Sequence, residues 1–167
     1  PRGNLGELCV RGYSVMLGYW EDMDKTQEVI DVAKWMHTGD IAEMDEEGFV
    51  KIKGRIKDVV IRGGENLFPK EIEDFLYTHP DVSDVQVIGL PDPRYGEELC
   101  ACIILHEHHQ INEEAIRQYC AEHISHNKVP RYVRFFTEFP MTASGKAQKF
   151  KLQELMRQEL NLLEDIA

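Results

Sequence analysis

Gly54-Arg55-Ile56-Lys57-Asp58-Val59-Val60-Ile61-Arg62-Gly63-Gly64-Glu65-Asn66-Leu67-Phe68-Pro69-Lys70-Glu71-Ile72-Glu73 is the stretch on which the fold turns. Asp58 to Arg62 is short and β-branched, the composition of a strand. It runs into Gly63-Gly64, where a tight turn or a close backbone approach costs little. Pro69 suits the first position of a helix. Ile72, Phe75 and Leu76 then form an apolar stripe that His79-Pro80 ends. Strand, turn and helix within about twenty residues mark the entry to a compact α+β domain.

Further along, Val85 to Gly89 and Leu99 to Leu105 read as strands, the second apolar on both faces and therefore central. Asn112 can cap a helix whose first turn holds Glu113 and Glu114. Its inward side is Ile116, Tyr119, Cys120 and Ile124. Tyr132 to Phe136 is a further strand, and Leu152, Leu155, Met156, Leu160 and Leu163 recur at helical spacing. The expected fold is α+β, a small sheet with helices packed on it. In the other direction, Leu8 to Trp20 is strand- and turn-like, Lys25 to Val32 helical, and a hairpin turns at Glu46-Glu47-Gly48 into Phe49 to Lys53. Residues 1–56 are too few to enclose a core and read as the β-rich tail of a larger domain. The boundary is expected at Lys57, with residues 57–167 as a domain of their own.

The 167 residues carry a net charge of −11, which argues against general nucleic-acid binding. Two basic windows interrupt the acidity. Lys51, Lys53, Arg55, Lys57 and Arg62 face only Asp58 in the first, and Lys128, Arg131, Arg134, Lys146, Lys149 and Lys151 face only Glu138 in the second. Such windows suit an anionic ligand. No apolar run reaches the roughly 18 residues of a membrane span. Cys9, Cys100, Cys102 and Cys120 form no CxxC pair and no disulfide-scaffold spacing, so a reducing, cytoplasmic setting is expected. His106, His108 and His109 lack a completing ligand set and read as a solvated hairpin tip, leaving no expected metal site.

With Trp35-Met36-His37-Thr38-Gly39-Asp40 upstream and Pro140-Met141-Thr142-Ala143-Ser144-Gly145-Lys146 downstream, the opening stretch resembles the adenylate-forming acyl-CoA synthetases. The three blocks stand in the family's order at plausible spacing, and the resemblance covers the C-terminal third of such an enzyme; it implies a parent of the fatty-acid branch. The resemblance implies ATP, Mg and CoA as cofactors and a carboxylic acid as substrate. It implies that Asp40 and Arg55 hold the ribose of ATP and of the acyl-adenylate. Lys57 takes the place of the hinge residue, and Lys146 that of the lysine that catalyses adenylation. Gly63, Gly64 and Glu65 match the stretch that lines the pantetheine tunnel, while Lys128 and Arg131 are candidates for the CoA phosphates. The phosphate-cradling loop, the magnesium-binding Glu and the acyl pocket are expected in a part of the parent that precedes this chain. The chain alone is therefore expected to be inactive.

Two alternatives stand beside this. A peptide-synthetase adenylation domain is disfavoured by Gly63-Gly64-Glu65-Asn66, because the pattern of that group has a glycine followed by a basic residue. A non-catalytic module keeping the fold would have no need of Asp40, Arg55 and Lys146 together.

Overall fold

The computed structural model of the chain describes residues 2–162. The chain divides into two compact units, Pro1–Lys57 and Asp58–Ala167.

The first unit holds β1 (Leu5–Val10), α1 (Met23–Val29), β2 (Met36–Met44) and β3 (Val50–Arg55). The strands form one antiparallel sheet in the order β1-β2-β3. Helix α1 starts earlier than the sequence pattern suggests because Asp22 accepts the Lys25 N–H, closing the first turn. Among the described residues up to Lys57, only Ala42 and Gly54 are buried. Tyr13, Leu17, Trp20, Val32 and Phe49 are exposed. The described residues of this unit form no core of their own.

The second unit has one. Ile56–Asp58 is a single 3-10 turn, so the strand expected from Asp58 is shortened to β4 (Val60–Arg62). Then follow β5 (Glu65–Leu67), α2 (Pro69–Leu76), β6 (Val82–Asp92), β7 (Gly96–Leu105), α3 (Glu113–His123), β8 (Tyr132–Phe135) and α4 (Lys149–Glu159). Strand β7 is central: it pairs antiparallel with β6, parallel with β8, and at Gly96 with Arg62 of β4. Strands β6 and β7 send alternate residues to opposite faces. Val85, Val87, Leu99, Ala101 and Ile103 meet Ile72 and Leu76 of α2 and Ile116 and Cys120 of α3. Ile88, Leu90, Cys100 and Cys102 meet Leu152 and Met156 of α4. A sheet covered on both faces explains why the central strand reads as an unbroken apolar run.

Asn112 caps α3 as expected, accepting the Ala115 N–H at 2.8 Å. The α4 stripe is narrower than its leucines suggest. Leu155 is exposed, while Leu152, Met156 and Leu160 pack against the sheet. Leu163 lies outside the described residues. Cys100 and Cys102 share a buried face; the Cys120 thiol is also buried, and its pKa is pushed up to about 11 by that burial.

Candidate functional site

Asp40 and Arg55 stand directly opposite each other on β2 and β3. Arg55 Nε lies 3.1 Å from Asp40 Oδ1, with the carboxylate about one-third and the guanidinium nearly two-thirds exposed (32% and 63%). An ion pair this open contributes about 0–1 kcal/mol to stability. The two groups are thus free to take a ligand's hydroxyls as partners at little cost to the fold.

What aims Asp40 is a bulge. Between the pairs Glu7↔Ile41 and Cys9↔His37, β1 advances by two residues and β2 by four. Gly39 absorbs the excess at φ 73°, a region other residues avoid. The bulge is clasped by β1 from both sides. Thr38 Oγ1 donates to Leu8 O at 2.8 Å and accepts the Asp40 N–H at 3.1 Å. Glu7 takes the Gly39 N–H on one oxygen at 3.1 Å and His37 Nδ1 on the other at 2.7 Å. The His37 hydrogen bond holds the Glu7 carboxyl below its ordinary pKa, and the same bond raises that of His37. Burial, then the charges of Glu7 and Asp31, push the Cys9 thiol up. Sequence reasoning missed Glu7 and His37 as parts of this arrangement. Their partnership is across strands, and the only local signal was Gly39 between Thr38 and Asp40.

Gly63 and Gly64, at φ 59° and 86°, are the two central residues of the β4–β5 turn. Positive φ at both is what a tight two-residue hairpin demands. The turn is fastened to the β6–β7 turn behind it. Gly63 N–H donates to Tyr95 O at 2.8 Å, Arg62 stacks 4.4 Å over the Tyr95 ring, and Arg62 Nε donates to the buried Glu98 at 2.9 Å. Glu65 accepts from Asn127 Nδ2 at 2.6 Å, which brings the 126–128 turn alongside.

Lys128 and Arg131 join the same end of the sheet, but neither is a bare cation. Lys128 Nζ lies 2.5 Å from Glu71 Oε1, and Arg131 lies 2.6 Å from Asp92 Oδ2. Burial works to raise the Asp92 pKa. The Tyr95 and Arg94 N–H groups and the Arg131 charge outweigh it and leave it lowered.

Lys146 sits on a separate turn. Thr142 N–H donates to Lys146 O at 2.8 Å, Lys146 N–H to Thr142 Oγ1 at 3.0 Å, and Gly145 turns at φ 77°. The Lys146 side chain is exposed and, among the described residues, forms no ion pair. Three residues on, Lys149 does the reverse. Its ammonium is tied to Glu73 at 2.6 Å and to Val87 O at 3.1 Å, fixing the base of the turn to α2 and β6. Lys57 is exposed in the 3-10 turn where the first unit ends.

An α+β unit covered on both faces, with an exposed lysine on a glycine turn and an open Asp–Arg pair earlier in the chain, resembles the C-terminal part of the adenylate-forming enzymes. Residues 71–146 match the family of AMP-binding enzyme C-terminal domains. The chain is 59% identical over 157 residues to the bovine medium-chain acyl-CoA ligase ACSF2, mitochondrial, covering 94% of this chain and 26% of the relative. It is 56% identical to the human protein of the same name over the same shares. ATP-bound MatB from Rhodopseudomonas palustris superposes with a TM-score of 0.87 at 34% identity, over 95% of this chain and 32% of that one. The chain thus spans about a quarter of the length of the curated relatives it matches.

These relatives correct one expectation. The bovine and human proteins are named mitochondrial, so a cytoplasmic setting does not follow. Free thiols mark a reducing compartment against an oxidising one, a distinction that does not single out the cytosol. Among the described residues, no helix is long and apolar enough to cross a membrane.

Proposed function

We propose that the chain is the C-terminal portion of an ATP-dependent acyl-CoA synthetase acting on a fatty acid. The observation that carries this is the open Asp40–Arg55 pair, held out on a clasped bulge with little stake in stability. A carboxylate can accept both hydroxyls of a ribose, and a guanidinium beside it can donate to the same oxygens. In this reading a carboxylate attacks the α-phosphorus of ATP, giving acyl-adenylate and pyrophosphate. The CoA thiol then attacks the acyl carbon, giving acyl-CoA and AMP. The exposed Lys146 ammonium offsets the negative charge gathered in the first step. Lys57 supplies the hinge that lets Lys146 give way to Gly63, Gly64 and Glu65, along which the pantetheine arm runs. Lys128 and Arg131 would meet the CoA phosphates by exchanging Glu71 and Asp92 for them.

Residues 1–56 are read as the tail of a large AMP-binding domain, since Tyr13, Leu17, Trp20, Val32 and Phe49 call for cover. Magnesium, expected with ATP, finds no all-oxygen ligand trio among the described residues and is assigned to that preceding domain.

The test is thioester formation from a panel of fatty and aryl acids with Mg-ATP and CoA. This chain is run beside the parent protein extended upstream. Thioester from the parent alone is the expected result, and a parent that forms none refutes the reading.

Two variants probe the parts. In the parent, Asp40→Ala is expected to raise the KM for ATP about tenfold or more, the scale of hydrogen bonds to a charged group. The melting temperature should stay near wild type, because the pair is exposed. Gly64→Ala meets no atom within 4 Å but must hold φ 86°. It should cost about 1 kcal/mol of stability, seen in urea unfolding. It should also slow the thioester step while leaving pyrophosphate exchange intact.

A further inference from the structure

Glu7, Cys9 and His37 converge at the β1–β2 edge. Their donor atoms all lie within 4.8 Å of one another. His37 Nδ1 is 3.6 Å from Cys9 Sγ and 2.7 Å from Glu7 Oε2. A thiol, an imidazole and a carboxylate suggest a nucleophile relay, but a relay needs the two ring nitrogens to face different partners. Here both partners face Nδ1, so the trio does not work as one. It has instead the donor set of a borderline-soft divalent ion.

With Zn–S near 2.3 Å and Zn–N near 2.0–2.1 Å, the S···N edge of a tetrahedral zinc site is about 3.5 Å. The Cys9–His37 separation is 3.6 Å before any adjustment. The corresponding O···N edge is about 3.3 Å, so along that edge Glu7 Oε2 retreats by about 0.6 Å from its present 2.7 Å, while Oε1 keeps the Gly39 N–H. The pairing Cys9↔His37 fixes two ligands on facing strands, and Glu7 is two residues from Cys9. His37 Nε2 lies 3.9 Å from Asp31 Oδ2, placing a carboxylate where ligating imidazoles have their orienting partner. The Glu7 and His37 side chains are 28% and 40% exposed, which leaves water access to a fourth position.

We propose that Glu7, Cys9 and His37 bind one Zn2+ ion, with a water as fourth ligand and Asp31 orienting His37. Binding displaces the Cys9 thiol proton and the proton between Glu7 and His37, and both go to solvent. Magnesium, which takes oxygen ligands, does not compete.

The test uses the parent protein, stripped with a chelator and titrated with Co2+. One equivalent is expected to give a thiolate-to-cobalt charge-transfer band and intense tetrahedral d–d absorption. One equivalent of Zn2+ should bleach both, and Mg2+ should change neither. Cys9→Ser should remove the charge-transfer band, and Asp31→Asn should weaken Zn2+ binding about tenfold. Circular dichroism of the metal-free variants establishes that they are folded. X-ray absorption on zinc-loaded wild type, independent of any variant, should show one sulfur among nitrogen and oxygen neighbours. Six-coordinate cobalt without a thiolate band, a zinc shell without sulfur, or an unchanged spectrum in folded Cys9→Ser protein overturns the proposal.

Discussion

Lys146→Ala in the parent enzyme should lower acyl-adenylate formation about 10²–10³-fold, the usual effect of removing one group aimed at developing negative charge. Thioester formation from acyl-adenylate supplied ready-made should remain near the wild-type rate. The split follows from where the residue sits. Its ammonium is exposed and without a carboxylate partner among the described residues, so its loss breaks no packing. The turn beneath it is held by Thr142 and by the Lys149–Glu73 pair, neither of which depends on the Lys146 side chain. Lys146→Arg should recover only part of the rate, because a planar fork does not replace a compact point charge. ATP–pyrophosphate exchange reads the first step and AMP release from the supplied adenylate reads the second. Equal loss in both would remove Lys146 from the adenylation role.

Glu98→Ala should cost about 3 kcal/mol of stability, the lower end of what breaking a buried ion pair costs. Glu98 is only 2% exposed, and its partner Arg62 is 20% exposed. Truncation leaves the guanidinium facing a cavity, with the Tyr95 ring still stacked against it. The lower end applies because Arg62 keeps some contact with water. The consequence reaches the site, since Arg62 directly precedes Gly63-Gly64 and helps fasten that turn. Urea unfolding should show the loss, and the thioester step should slow more than pyrophosphate exchange. Glu98→Gln, which keeps an acceptor for Arg62 Nε, should lose less. A Glu98→Ala protein as stable as wild type would mean that the pair contributes nothing net.

Much of this was legible along the chain because it is local. Pro69 and Asn112 mark helix starts through backbone rules that act within a turn. The two glycines at 63 and 64 announce a hairpin, and the apolar run from 99 to 105 announces a strand covered on both sides. Other features depend on partners distant in sequence. Lys128 and Arg131 stand in a window whose only acid is Glu138, while their actual partners, Glu71 and Asp92, lie 57 and 39 residues away. Glu7 gave no sign of clasping Gly39, because the contact is set by a register jump between β1 and β2. Strand β5, only Glu65–Leu67, is too short for any periodicity to reveal. Leu155 fits the helical stripe, yet it is Leu152, Met156 and Leu160 that pack on the sheet while Leu155 stays exposed.

The sheet of the second unit is sealed by α2 and α3 on one side and by α4 on the other. Such a body can meet a substrate only along its perimeter. Its two candidate working points occupy different stretches of that perimeter, and each has its own fastening: Arg62–Glu98 and Tyr95 for the glycine pair, Glu73 and Lys149 for the lysine turn. Under the proposed function, selection could therefore retune one half-reaction while the other stays as it was, and a lineage could shed its acceptor thiol without first losing the power to activate an acid.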